Sequence, residues 1–191
     1  MNQYLDDKSR LVKVLRLLSE KFVDDLVCYY LYNAMYPQEI NTILSEYAEH
    51  KKEILSEFSN PKIDAAYINL NKSFDVLTKF LTEHFWTPNV HYKMYKNPHF
   101  LYLEPRIHHN FGGENKDPML WDKYKSELDK IANEFEKSYK DFIKTAKSEL
   151  EPKEEILKLS PEFYGMGVNL RPSWNKIKAW FQNLCLGQQK N

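Results

Sequence analysis

Apolar side chains recur at three- and four-residue steps through four long stretches of this chain, and that period most narrows its choice of fold. In the first stretch Leu11, Leu15, Leu18, Phe22, Leu26 and Tyr29 line up on one helical face. Val12, Val14, Val23, Val27, Tyr30 and Leu31 widen the stripe until only a narrow polar strip is left. The spacing predicts a helix over residues 9–35, apolar over most of its girth and therefore central to a bundle. Leu15, Leu18, Phe22 and Leu26 are expected to be nearly inaccessible.

Pro37 stands where a first-turn proline belongs, so a second helix should follow to about Phe58, with Ile40, Ile43, Leu44, Tyr47, Ile54 and Phe58 inward. Asn60-Pro61, a cap residue and then proline, predicts a third helix to about Trp86. Its stripe is Ile63, Tyr67, Leu70, Phe74, Leu77 and Leu81. Asp117-Pro118 repeats the signal for a fourth helix to about Leu150, with Trp121, Tyr124, Leu128, Ile131, Phe135 and Phe142 inward. The outer faces of this last helix alternate lysine with acid, as solvated faces do.

Connections this short place successive helices antiparallel. The expected fold class is all-α: an antiparallel bundle of four long helices, an aromatic connector between the third and fourth, and a short C-terminal helix. With 191 residues the chain is long enough for one well-buried core and short for two. A single domain is therefore expected. Residues 1–86 would be a three-helix sheaf, 87–117 the connector, 118–150 the fourth helix and 151–191 a basic C-terminal segment.

Charge excludes several function classes. Formal net charge is zero, and only four of the 27 cations are arginine, so neither a global field nor bidentate groups favour nucleic acid. The two cysteines, Cys28 and Cys185, have no ligand spacing and are too few for a disulfide scaffold. The start, MNQYLDDKSR, has neither a basic leader nor an apolar run, so no signal peptide is expected. The longest apolar run, residues 26–32, is far too short for a membrane span, and a cytoplasmic location fits best.

The connector is where chemistry would have to sit. It joins two capped helices over about thirty residues, and compact domains seldom leave so long a stretch without function or structure of its own. A small hairpin is expected, with strands near 90–95 and 100–103 turning at Lys96-Asn97-Pro98. Histidines crowd the region, with His84 before it and His91, His99, His108 and His109 within it.

A zinc site would need three or four ligands in tetrahedral array. No HExxH, HxxxH or CxxC is present, and adjacent His108 and His109 on an extended segment point to opposite faces. Glu46, His50, Glu53 and Glu57 share a flank of the second helix, but a di-iron bundle needs a Glu-x-x-His repeat that is absent. No metal and no cofactor are expected. Phosphate loops, dinucleotide fingerprints and nucleophile elbows are missing as well.

Two functions from different classes remain. The first is a non-enzymatic interaction or regulatory protein. It would bind a protein partner through Trp86, Tyr92, Tyr95, Phe100 and Tyr102 of the connector and Trp174 and Trp180 of the C-terminal helix, since interface energy concentrates in such residues. After Glu162 the chain holds no acid, while Arg171, Lys176, Lys178 and Lys190 all fall there, so membrane-surface contact by that helix is a further option. The second is a hydrolase or nuclease, working with or without a metal on the connector histidines, with His91, His99, Glu104, Arg106, His108 and His109 as candidate acid, base and charge-stabilising groups.

Overall fold

A serine breaks the first predicted helix. In the computed structural model, which describes residues 3–53, 58–87, 99–105, 107 and 117–150, helix α1 spans Gln3–Leu17 and helix α2 spans Glu20–Asp24. All of these residues belong to the unit Met1–Glu151, and residues 151–191 lie outside the description. Between the two helices Ser19 adopts an extended conformation, and its Oγ accepts from Phe22 N at 3.2 Å. That local bond outcompetes the helical one, as serine side chains do at caps.

A π-helical segment follows over Asp25–Leu31. Its cause is the spacing of the apolar residues. Phe22, Leu26 and Tyr30 come in steps of four, which on an α-helix drift by about 40° per step. The wider turn, seen in Tyr32 N bonding Val27 O at 3.2 Å, takes up that drift. Tyr30 and Leu31 stay in the core as a result, while Tyr29 turns outward. The expected burial in α1 is also corrected. Its inward line is Asp7, Leu11, Val14 and Leu18, and Leu15 is only half-buried.

Ala34, with φ of 54°, ends the helical run, and strand β1 spans Met35–Pro37. The predicted helix 9–35 is thus two helices, a π-helical segment and the start of a strand. Pro37 closes β1 and does not open the second helix, α3, which spans Glu39–Glu53. It fits there because the β1 bonds to the neighbouring strand fall on Ala34 O (from Leu103 N, 3.0 Å) and Gln38 N (to His99 O, 2.8 Å). By alternation the nitrogen of Pro37 faces away from the ladder, so a residue without an N–H loses nothing.

Helix α4 spans Pro61–His84, and its predicted stripe is buried without exception. Asn60 Oδ1 accepts from Lys62 N at 2.9 Å and Ile63 N at 3.4 Å, as the sequence signal implies. Phe85 then turns extended (φ −108°, ψ 124°), so the helix stops two residues before Trp86. Helix α5 spans Pro118–Leu150, capped by Asp117 Oδ1 on Leu120 N at 3.0 Å. Leu128, Phe135 and Phe142 are buried as expected, joined by Ala132, Tyr139, Ile143 and Ala146, whereas Trp121, Tyr124 and Ile131 are half-buried.

Ring contacts show that α4 and α5 run antiparallel. Tyr67 meets Phe142 at 5.6 Å near one end, Phe74 meets Phe135 at 6.2 Å in the middle, and His84 meets Tyr124 at 4.4 Å at the other. One buried charge anchors the connection before α4. Asp7, 2 % exposed, accepts from Ser59 N at 2.7 Å and Asn60 N at 3.0 Å.

The described chain is mostly helical, with one small sheet. Strands β2 (Phe85–Trp86) and β3 (Phe100–Leu103) complete it, in the order β1-β3-β2, with both pairs antiparallel. The expected hairpin is corrected in its first strand: β3 is where the sequence places it, but its hairpin partner is Phe85–Trp86. Residues 90–95 and the turn at 96–98 lie outside the described residues.

Candidate functional site

The sheet brings three sequence-distant segments to one end of the helices, and its two faces differ. Directly opposed residues of antiparallel strands project to the same side. Tyr36, Phe85, Leu101 and Leu103 therefore share one face, and this one packs inward: Tyr36 and Phe85 stack at 5.0 Å, and Tyr36, Phe85 and Leu103 are buried. The other face carries Met35, Tyr102 and Trp86 in a straight row across all three strands, with Pro37 and Phe100 buried beside them on the same face. Trp86 is 44 % exposed, while Tyr102 and Met35 are half-buried.

Further apolar side chains are exposed on the segments that reach this end. Six large apolar side chains are exposed among the described residues, and four of them, Tyr29, Tyr32, Trp86 and Met119, belong to segments that meet at the sheet end. Tyr32 is 70 % exposed, with the Lys125 ammonium 5.5 Å from its ring centroid, and Lys125 also pairs with Asp129. Met119 is 85 % exposed in the first turn of α5. Trp121, two residues on, donates its Nε1–H to Leu103 O at 3.2 Å and so ties α5 to β3. Scattered exposed apolar residues mean little, but a cluster at one end is a mark of contact surfaces.

Beside the row lies an acid–histidine contact. His84 Nδ1 and Glu104 Oε1 are 2.7 Å apart, with their side chains 20 % and 18 % exposed. The imidazole lies between the rings of Phe80 (4.5 Å) and Tyr124 (4.4 Å), one from α4 and one from α5. Glu104 N donates to His84 O at 2.9 Å, and Glu104 itself has φ of 37°. A carboxylate on one ring nitrogen makes that nitrogen the donor and fixes the tautomer of the neutral ring.

Trp86 and Tyr102, named from sequence as partner contacts, are thus cross-strand neighbours. Phe100, named with them, is 2 % exposed against Tyr30 and Tyr102, each 6.4 Å away, and belongs to the core. Tyr92, Tyr95, Trp174 and Trp180 lie outside the described residues. Of the candidate acid–base groups, Glu104 bonds His84, and His99 sits exposed in the turn before β3. His91, Arg106, His108 and His109 lie outside the description.

Among the described residues no group of three His, Cys, Asp or Glu side chains is placed to hold a metal ion, and no helix is long and apolar enough to cross a membrane. Sequence reasoning missed Met35 and Tyr32 as surface residues, because their period reads as helix. It also left His84 without its partner, since a contact twenty residues away leaves no local mark. No family model, curated protein or solved structure matches this chain.

Proposed function

We propose that this chain is an interaction protein that binds a partner protein through the aromatic end of its sheet. A partly exposed tryptophan set directly opposite a half-buried tyrosine on a short sheet carries the proposal. Tryptophan and tyrosine supply large contact area at little conformational cost, and binding energy concentrates in them. Met35, Tyr32 and Met119 extend the same apolar end, and thioether side chains suit surfaces that adapt to a partner. The partner it fits presents an apolar patch to meet this aromatic row.

The helices act as the scaffold. In this proposal α1, α3, α4 and α5 form an antiparallel four-helix bundle, for which the opposed directions of α4 and α5 are the support. Such a frame holds the sheet rigid, so its row of side chains needs no ordering on contact.

The experiment is site-specific photocrosslinking in the source cells, with a benzophenone side chain at position 86 and a control at exposed Lys123. The expected result is a discrete protein adduct from position 86 alone. The purified chain should bind that protein, and Trp86→Ala should weaken the affinity by roughly tenfold or more, as hot-spot residues do. No discrete adduct, or equal affinity of Trp86→Ala, would overturn the proposal.

A further inference from the structure

The geometry points to His84 and Glu104 as a clasp that holds the hairpin presenting Trp86 and Tyr102, an inference that rests on the reading of that pair as the binding surface. Strands β2 and β3 pair over two positions, Phe85↔Leu103 and Trp86↔Tyr102. A ladder that short does not hold itself. His84 and Glu104 are the next pair at its base, one just before β2 and one just after β3. They meet twice, through the main chain at 2.9 Å and through the side chains at 2.7 Å.

Two observations set this contact apart from an ordinary surface pair. Glu104 lies in the left-handed region, which is unfavourable for any residue with a Cβ and persists only where the surroundings hold it. Its partner His84 is fixed in turn by rings from two long helices, Phe80 of α4 and Tyr124 of α5. Apart from Glu104, the titratable group in contact with the imidazole is the Tyr124 phenol, while on α4 the neighbouring Glu83 is engaged by Lys79 at 3.9 Å. β1 and the Trp121 bond hold β3 from its other side; at the turn after β3 it is the His84–Glu104 side-chain bond that fixes the base of the β2–β3 ladder to α4 and α5. With that bond closed, Trp86 and Tyr102 are held side by side. With it open, the turn relaxes and the two-position β2–β3 ladder separates while β3 stays on β1, so a partner would have to order the Trp86–Tyr102 pair before binding it.

Glu104→Gly separates a clasp from a simple turn, because glycine adopts without penalty the very φ that Glu104 is forced to adopt. Were backbone preference in control, the substitution would preserve or raise protection of the hairpin. The clasp predicts the opposite. Hydrogen exchange on the full chain should show protection falling roughly tenfold or more at amides 86, 102 and 104, with the core amides of α4 and α5 unchanged. Glu104→Gln retains an oxygen that can accept from Nδ1–H, so its loss should be clearly smaller than that of Glu104→Gly. Wild-type or greater protection in Glu104→Gly overturns the clasp, as does a Glu104→Gln chain that opens as far as the glycine variant. Exchange is read on the isolated chain, and its outcome is independent of whether Trp86→Ala abolishes partner binding. The clasp and the binding surface therefore fail separately.

Discussion

The hydroxyl of Tyr139 on α5 donates to the main-chain oxygen of Leu18 at 2.7 Å, at the point where the first helical run breaks. In an unbroken helix that oxygen would accept from Phe22 N. Ser19 Oγ takes the Phe22 N–H instead, and the freed carbonyl is buried. A remote side chain supplies the missing donor. The serine break and the tyrosine are thus one device, assembled from residues 121 positions apart.

Tyr139→Phe removes that donor and leaves the Leu18 oxygen unsatisfied in the core. The expected loss is about 1–3 kcal/mol, with the fold kept. Denaturant titration reads it as a lowered midpoint at unchanged slope. An unaltered midpoint would show that the carbonyl finds another partner.

Leu18→Ala should cost about 2–5 kcal/mol by opening a cavity among fully buried neighbours. Leu15→Ala, on a half-buried position of α1 just before it, should cost clearly less. Equal midpoints for the two variants would mean that the phase assigned to α1 is wrong.

Asp7 is the buried charge that holds the start of α4 through two main-chain N–H groups. Asp7→Ala strands both donors and is expected to lose about 2–4 kcal/mol, while Asp7→Asn keeps an acceptor and should lose less. Thermal unfolding of the two variants checks the order. An alanine variant as stable as the parent would remove Asp7 from the account.

Alkali should unfold the protein through its buried phenols. Burial pushes the hydroxyls of Tyr30, Tyr36, Tyr47 and Tyr67 above the ordinary tyrosine range. The folded chain then keeps protons that the unfolded chain releases, so these groups cost nothing below about pH 10 and stability falls as pH rises beyond it. Phenolate absorbance followed alongside circular dichroism is the measurement. These tyrosines should ionise only as helicity is lost, and full ionisation near pH 10 in an intact fold would contradict this.

Cys28 is exposed yet should react slowly. Partial desolvation and then the Glu136 carboxylate, whose Oε1 lies 3.9 Å from Sγ, push its thiol pKa up and keep thiolate scarce near neutral pH. Glu136→Gln should therefore speed alkylation of Cys28 by iodoacetamide several-fold at pH 7. An unchanged or slower rate would show that the carboxylate does not govern the thiol.

What the chain determined by itself is what local chemistry can specify. Asn60-Pro61 and Asp117-Pro118 mark the starts of α4 and α5 because cap and proline act on their own turn. The stripe from Ile63 to Leu81 is buried as its period requires. Tertiary structure decided the rest. The run from Leu11 to Leu31 is apolar on nearly every side, so its period does not say which residues face inward, and packing chose Val14 over Leu15. Met35–Pro37 became a strand because Phe100–Leu103 arrives beside it, and Pro37 is tolerated because its nitrogen happens to face outward. Asp7 is buried because Ser59 and Asn60 offer it donors, and Glu104 meets His84 because two strands close between them. In each case the stabilising partner lies far along the chain, and neither spacing nor capping carries information over that distance.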